Sequence, residues 1–145
     1  MHATTVAIDL AKDVFELAFA DGGGRILERK RLSRRAFARA LENRPPLAVV
    51  MEACGSAHYW ARRFQAQGHS VRLLPARDVK PYVRRNKTDR ADAAGLVEAA
   101  RCAQIDEVPV KTPRQQGLQA LHRVREQLKA QRTATINLVR GLLRE

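Results

Sequence analysis

Between Thr4 and Leu32 three short apolar runs are divided by turn chemistry, and this pattern constrains the fold more than any other feature of the sequence. Residues 4–9, Thr-Thr-Val-Ala-Ile-Asp, read as a buried strand running into a polar end, and residues 14–20, Val-Phe-Glu-Leu-Ala-Phe-Ala, read as a second. Asp21-Gly22-Gly23-Gly24 then leads into a third strand over 25–32. Asp-Gly and Gly-Gly between strand patterns are hairpin signals, so the chain is expected to open as a three-stranded antiparallel meander. The alternative for the glycine triplet is a phosphate cradle, but no Gly-Lys-Ser/Thr follows it.

Ser33 is placed to cap a helix over 34–44, with Phe37, Ala38, Ala40 and Leu41 on one face and Pro45-Pro46 as its stop. Leu47 to Met51 reads as a short apolar strand. Gly55 and Ser56 lead into a helix over 57–67 closed by Gly68, and Val71 to Leu74 reads as a fifth strand. Three strands in a meander followed by helix, strand, helix, strand is the order of an RNase H-like α/β fold, a mixed sheet flanked by helices.

After Pro75 the composition turns basic, with Arg77, Lys80, Arg84, Arg85 and Lys87, and Thr88 is placed to cap a helix over about 89–102. Pro109 and Pro113 bracket a linker. From Arg114 onward Leu118, Leu121, Val124, Leu128, Thr135, Ile136, Val139, Leu142 and Leu143 recur at helical steps. The expected domains are therefore 1–108, an α/β catalytic domain, and 109–145, a linker and long helix. A helix of about 30 residues with one narrow apolar stripe is expected to pack along the domain at first and then to self-associate or lead into another domain. The chain stops at Glu145 in mid-pattern, so we expect the N-terminal part of a longer protein.

The 145 residues carry 27 Lys and Arg against 15 Asp and Glu, a formal net charge of +12. Neutralising phosphates releases condensed counterions, so a polyanion is the leading partner class, with a merely solubilising basic surface as the bland alternative. Cys54, Cys102 and the four histidines are scattered at no zinc spacing, and the thiols are expected to be reduced and buried. No apolar run approaches the roughly 20 residues that span a bilayer, and the N-terminus has no signal-peptide pattern, so a soluble, intracellular chain without a membrane partner is expected.

In so basic a chain the informative carboxylates are those in apolar or basic surroundings. Asp9 ends Val6-Ala7-Ile8, and Glu52 ends Leu47 to Met51. Asp89 and Asp92, three apart at a helix start, share one face. A carboxylate at a central strand end is costly to bury unless a cation or donors meet it. If the first and fourth strands are neighbours, Asp9 and Glu52 come side by side, and the two helix acids complete an oxygen-only ligand set suited to Mg²⁺, with Mn²⁺ as a substitute. Taken singly the acids have other readings: Asp89 and Asp92 suit a helix dipole, Glu52 suits a cap or an Arg partner, and Asp9 after a strand also suits the phosphate-binding hairpin of sugar kinases and actin-like ATPases.

The segments Val6 to Lys12, Met51 to Trp60 and Asn86 to Ala93, the last reading Asn-Lys-Thr-Asp-Arg-Ala-Asp-Ala, resemble in order the three signature blocks of the DEDD insertion-sequence transposases. The N-terminal domain of that family is similar to the Holliday-junction resolvase RuvC, and the family includes the pilin-gene invertases. The resemblance covers essentially the whole chain. It implies that Asp9, Glu52, Asp89 and Asp92 are four Mg²⁺-binding acids for DNA strand cleavage and exchange, in the cytoplasm of a bacterial or archaeal cell and associated with its nucleoid. It also implies a structured noncoding RNA as guide, and a homo-oligomer formed through the C-terminal helix. Family members carry a second domain with a serine nucleophile. Ser33, Ser56 and Ser70 do not match that motif, so this chain is not expected to complete recombination alone.

Lys12, Arg84, Arg85, Lys87 and Arg90 flank the acids and are candidate phosphate contacts, the alternative being a solvated basic loop. Tyr59 and Trp60 are candidates to stack on a base, though core packing suits Trp60 better. Two other readings stay open: a stand-alone Holliday-junction or RNase H-like nuclease, and a non-catalytic nucleic-acid-binding module.

Overall fold

Asp21 makes the turn that the glycines call for. Its Oδ1 accepts the backbone N–H groups of Gly23 at 3.0 Å and Arg25 at 2.9 Å, and Gly24 sits at φ +83°, a left-handed conformation that costs glycine little. In this computed structural model, which describes residues 2–83 and 89–144 apart from the side chains of Asp89 and Arg90, the turn joins β2 (Val14–Ala20) to β3 (Ile26–Ser33). β2 also pairs antiparallel with β1 (Thr5–Asp9). β4 (Ala48–Glu52) lies parallel to β1, and β5 (Ser70–Leu74) lies parallel to β4. The sheet order is β3-β2-β1-β4-β5, the RNase H-like order.

The two-residue period of the strands sorts their side chains onto two unlike faces. Val6, Ile8, Phe15, Leu17, Phe19, Val49 and Met51 pack with Phe37, Trp60 and Phe64, carried by α1 (Arg34–Phe37) and α2 (Ala57–Ala66). On this face the Phe15 and Phe37 rings stack at 4.2 Å between centroids and Trp60 meets Phe37 edge-on at 4.5 Å. Trp60 is only 2% exposed and belongs to the core, as its helix position led us to expect. The other face is built mostly of small side chains. Ala7, Ala18, Ala20 and Val50 meet Ala93, Leu96, Val97 and Ala99 of α4 (Asp89–Ala100), with Val79 of α3 (Ala76–Val79) beside them.

Three expectations are corrected. The helix over 34–44 is α-helical only through Phe37, and turns closed by bonds to the carbonyl three residues back carry the chain on to Asn43, which sits at φ 62°. The cause is tertiary: the Ala38 carbonyl accepts Nη2 of Arg63 at 3.1 Å, and the Leu41 carbonyl bonds Nε2 of His69 at 3.3 Å. The cysteines are free but not buried, since Cys54 is exposed in the loop beyond β4 and Cys102 is half-buried past the end of α4. That helix stops at Ala100, where the Arg101 and Cys102 N–H groups bond the carbonyls three residues back, of Glu98 and Ala99, in place of those four back. The cap expected at Thr88 lies outside the described residues.

The chain divides into two units, Met1–Val110 and Lys111–Glu145. The first takes in Val108 and Val110, which pack against the aromatic core, and the Val108 N–H donates to the Leu73 carbonyl at 2.8 Å. The second is α5 (Pro113–Leu142), a helix about 45 Å long at 1.5 Å per residue. Thr112 starts it with a reciprocal capping box: its hydroxyl accepts from Gln115 N at 3.2 Å and its own N–H donates to the Gln115 side chain at 2.9 Å. Along α5, Leu118, Leu121, Val124, Leu128, Ile136, Val139 and Leu142 are exposed. Among the described residues no helix is long and apolar enough to cross a membrane.

Buried His69 ties the loop after α1 to the start of β4. Its Nδ1 accepts the Leu47 N–H at 3.2 Å, so Nε2 carries the proton and donates to Leu41. Replacing it, His69→Ala, leaves that N–H buried and unpaired, and is expected to cost about 1–3 kcal/mol in urea unfolding.

Candidate active site

β1 and β4 stand side by side with Thr5 opposite Ala48 and Ile8 opposite Met51. The next residue on each strand is a carboxylate, so Asp9 and Glu52 occupy neighbouring strand ends. Strand alternation puts both on the face of Ala7 and Val50, which is the face that α4 covers. Asp92 lies in the first turn of that helix, close enough to act on Glu52 through its charge. Burial pushes the Glu52 carboxyl above its ordinary pKa, and the Asp92 carboxylate pushes it further the same way. Among the described residues no Lys or Arg pairs with Glu52.

Asp89 opens α4 one turn before Asp92, and its side chain lies outside the described residues. Arg84, Arg85 and Lys87 lie outside them altogether, and of Arg90 only the backbone is described. Lys12 is exposed in the β1–β2 turn, where its carbonyl accepts Nη1 of Arg34 at 3.4 Å.

Two residues near the site were not singled out in the sequence. Glu16 stands directly across from Asp9 in the β1–β2 ladder, and it pairs with Arg31, its neighbour on β3, at 3.4 Å. A row of charge thus crosses the sheet from Arg31 through Glu16 to Asp9. The alternation of β2 placed Glu16 on this face, but only the hairpin register sets it opposite Asp9. Gly95 is the second. A Cβ there would lie 2.9 Å from a Val83 methyl and 3.2 Å from the Tyr82 carbonyl oxygen. The glycine therefore seats the segment that ends at Val83 directly on α4, and α4 itself begins at the far end of residues 84–88.

Among the described residues no three His, Cys, Asp or Glu side chains converge closely enough to form a ready metal cage. The donor chemistry nevertheless fits a hard divalent cation. The groups are carboxylates only, and Glu52, its pKa raised by burial and by the Asp92 carboxylate, is the member whose charge a divalent cation would offset.

The sheet order and the acids at its carboxyl end define an RNase H-like domain with an acidic site. The DEDD transposase family of the IS110 type matches residues 6–145, and the chain belongs to that family. It is 45% identical over its whole length to a probable family 20 transposase of Pseudomonas aeruginosa, of which it spans 43%. It is 42% identical over 140 residues to the transposase for insertion sequence element IS1111A of Coxiella burnetii, of which it spans 38%. A third relative, the transposase for insertion sequence element IS1328 of Yersinia enterocolitica, is 37% identical over 144 residues. The chain thus spans about two-fifths of the curated relatives it matches. Among solved structures it is similar to Thermus thermophilus RuvC in complex with a Holliday junction substrate, with a TM-score of 0.53 at 14% identity over 74% of this chain and 100% of that one. That likeness agrees with the fold built above.

Folding favours the protonated form of Glu52, so its contribution to stability is intact below the ordinary glutamate pKa of about 4.3 and is lost as pH rises through the raised value. Glu52→Gln is therefore expected to melt above wild type at pH 7 in a chelator. The two proteins should melt together near pH 4, which thermal unfolding at both pH values checks.

Proposed function

We propose that residues 1–108 form the N-terminal catalytic domain of a DNA transposase, cleaving and exchanging DNA strands during transposition. The observation that carries this reading is the meeting of Asp9 and Glu52 at adjacent parallel strand ends, with Asp92 acting on Glu52 from α4. In this reading Asp9, Glu52, Asp89 and Asp92 hold Mg²⁺, for which Mn²⁺ substitutes. Bound there, divalent ions supply activation of the attacking oxygen and stabilisation of the leaving one.

The chain's own residues then have separate tasks. The four acids would hold the cations at the sheet end, where the raised proton affinity of Glu52 shows the cost of keeping carboxylates together. Lys12, Arg84, Arg85, Lys87 and Arg90 hold the phosphates on either side of the scissile one. Gly95 keeps the segment ending at Val83 against the helix that carries Asp89 and Asp92. A structured noncoding RNA serves as guide, bridging target and donor DNA, and the work is done in the cytoplasm at the nucleoid. The likeness to RuvC favours one second reading, a junction nuclease that acts without any downstream domain. Cleavage of branched DNA by the isolated 145-residue chain separates that reading from the first.

Mn²⁺ binding to this chain, followed by water-proton relaxation, is expected to be saturable and to weaken at least about tenfold in Asp9→Asn and in Asp89→Asn. In a complete transposase carrying this segment, Asp→Asn at 9, 89 or 92 is expected to abolish strand cleavage and leave the domain folded. Full activity in a variant removes that residue from the site.

Residues 109–145 act as the connector through which copies associate, supported by the exposed apolar stripe from Leu118 to Leu142. Leu121→Asp with Leu128→Asp is expected to turn a concentration-dependent oligomer into a monomer in sedimentation equilibrium. The thermal melt of the α/β unit should stay unchanged.

A further inference from the structure

The carboxyl end of the sheet gathers more than acids. β3 runs parallel to β1, so Arg34 and Arg35 at the start of α1 emerge at the same end as Asp9 and Glu52, as do Lys12 in the β1–β2 turn and the first turn of α2. These elements are tied together. The Arg34 guanidinium lies 5.6 Å from the centre of the Trp60 ring and donates to the Lys12 carbonyl. Trp60 is fixed among Phe15, Phe37 and Phe64, and Tyr59 rests edge-on against it at 5.2 Å with the rings 77° apart. Tyr59 is 49% exposed, while the Trp beneath it is buried. Lys12, Arg34 and Arg35 are exposed at the same end of the sheet, and among the described residues no carboxylate pairs with any of the three.

An exposed aromatic ring on a rigid base, with cations lacking carboxylate partners at the same sheet end, is the chemistry that binds single-stranded nucleic acid. Bases stack on the ring, and the cations follow the phosphates. The patch lies on the α2 side of the sheet and the acids on the α4 side, at the same end. We propose that Tyr59, with Lys12, Arg34 and Arg35, forms a stacking platform for an unpaired stretch of the DNA strand that enters the acidic site. The strand passes over the end of the sheet, one part at the acids and an adjoining base on Tyr59. This rests on the DNA-processing reading above, but it concerns binding and needs no metal.

The test uses the 145-residue chain in a chelator, which removes divalent cations, with a single-stranded DNA carrying 2-aminopurine and a duplex of the same sequence. Wild type should quench the 2-aminopurine by stacking. Tyr59→Ala should lose the quenching and bind the single strand about tenfold more weakly, with duplex affinity unchanged, and Tyr59→Phe should restore both signals. Arg34→Gln should lower the salt slope of single-strand binding by about 0.7. Wild-type quenching and affinity in Tyr59→Ala overturn the proposal, and so does an equal loss on duplex and single strand. Tighter binding of the matching RNA than of the DNA assigns the platform to RNA and overturns it as written. Failure here leaves strand cleavage and its Asp→Asn variants untouched, and failure of cleavage leaves metal-free stacking untouched.

Discussion

Parallel pairing of β1 with β4 is the interaction on which the rest of the structure depends. Parallel strands deliver their carboxyl ends to the same side, and an acid as the last residue of each places two like charges at neighbouring ends. An antiparallel pair would have sent Glu52 to the opposite end of the sheet. The pairing requires the chain to return to its starting end before β4, and the meander, α1 and the turns up to Pro46 accomplish that return. His69 and Arg63 then hold the returning segment by its carbonyls.

The charge balance follows from the same arrangement. A basic chain keeps a few carboxylates where they repel one another, and the cost shows in Glu52, whose proton affinity rises through burial and through Asp92. Glu16 is handled differently. It has Arg31 as its ion-pair partner within the sheet, so it is neutralised by the protein itself. On one face, with Asp9 between them, the two glutamates distinguish a carboxylate paired by an arginine from one that no described Lys or Arg pairs.

Much of this was legible in the sequence because local chemistry and fold agreed. Asp21 and its glycines set the meander, Ser33 and Gly68 marked helix ends, and the strand order set Asp9 beside Glu52. What escaped depended on distant residues. The shortened helix after Ser33 is decided by side chains 25 and 28 residues further on, which take the carbonyls that would have continued it. Glu16 opposite Asp9 needed the hairpin register, and the tight contact at Gly95 needed the path of a segment that no periodicity describes. Cys54 lies two residues past the end of β4, in a loop where the thiol is exposed.

The unlike faces of the sheet make the domain tolerate change in opposite directions. Under α2 the core is filled by Phe15, Phe37, Trp60 and Phe64, where removing volume opens cavities and a modest change of shape can be repacked. Under α4 the contact is made largely by Ala7, Ala18, Ala20, Ala93 and Ala99 with Gly95 nearby, where little can be removed at those positions and added volume pushes the helix outward. The helix so displaced is the one that carries the two acids. Drift in sequence on the aromatic side is therefore paid in stability, whereas drift on the alanine side would detune the site in a domain that still folds.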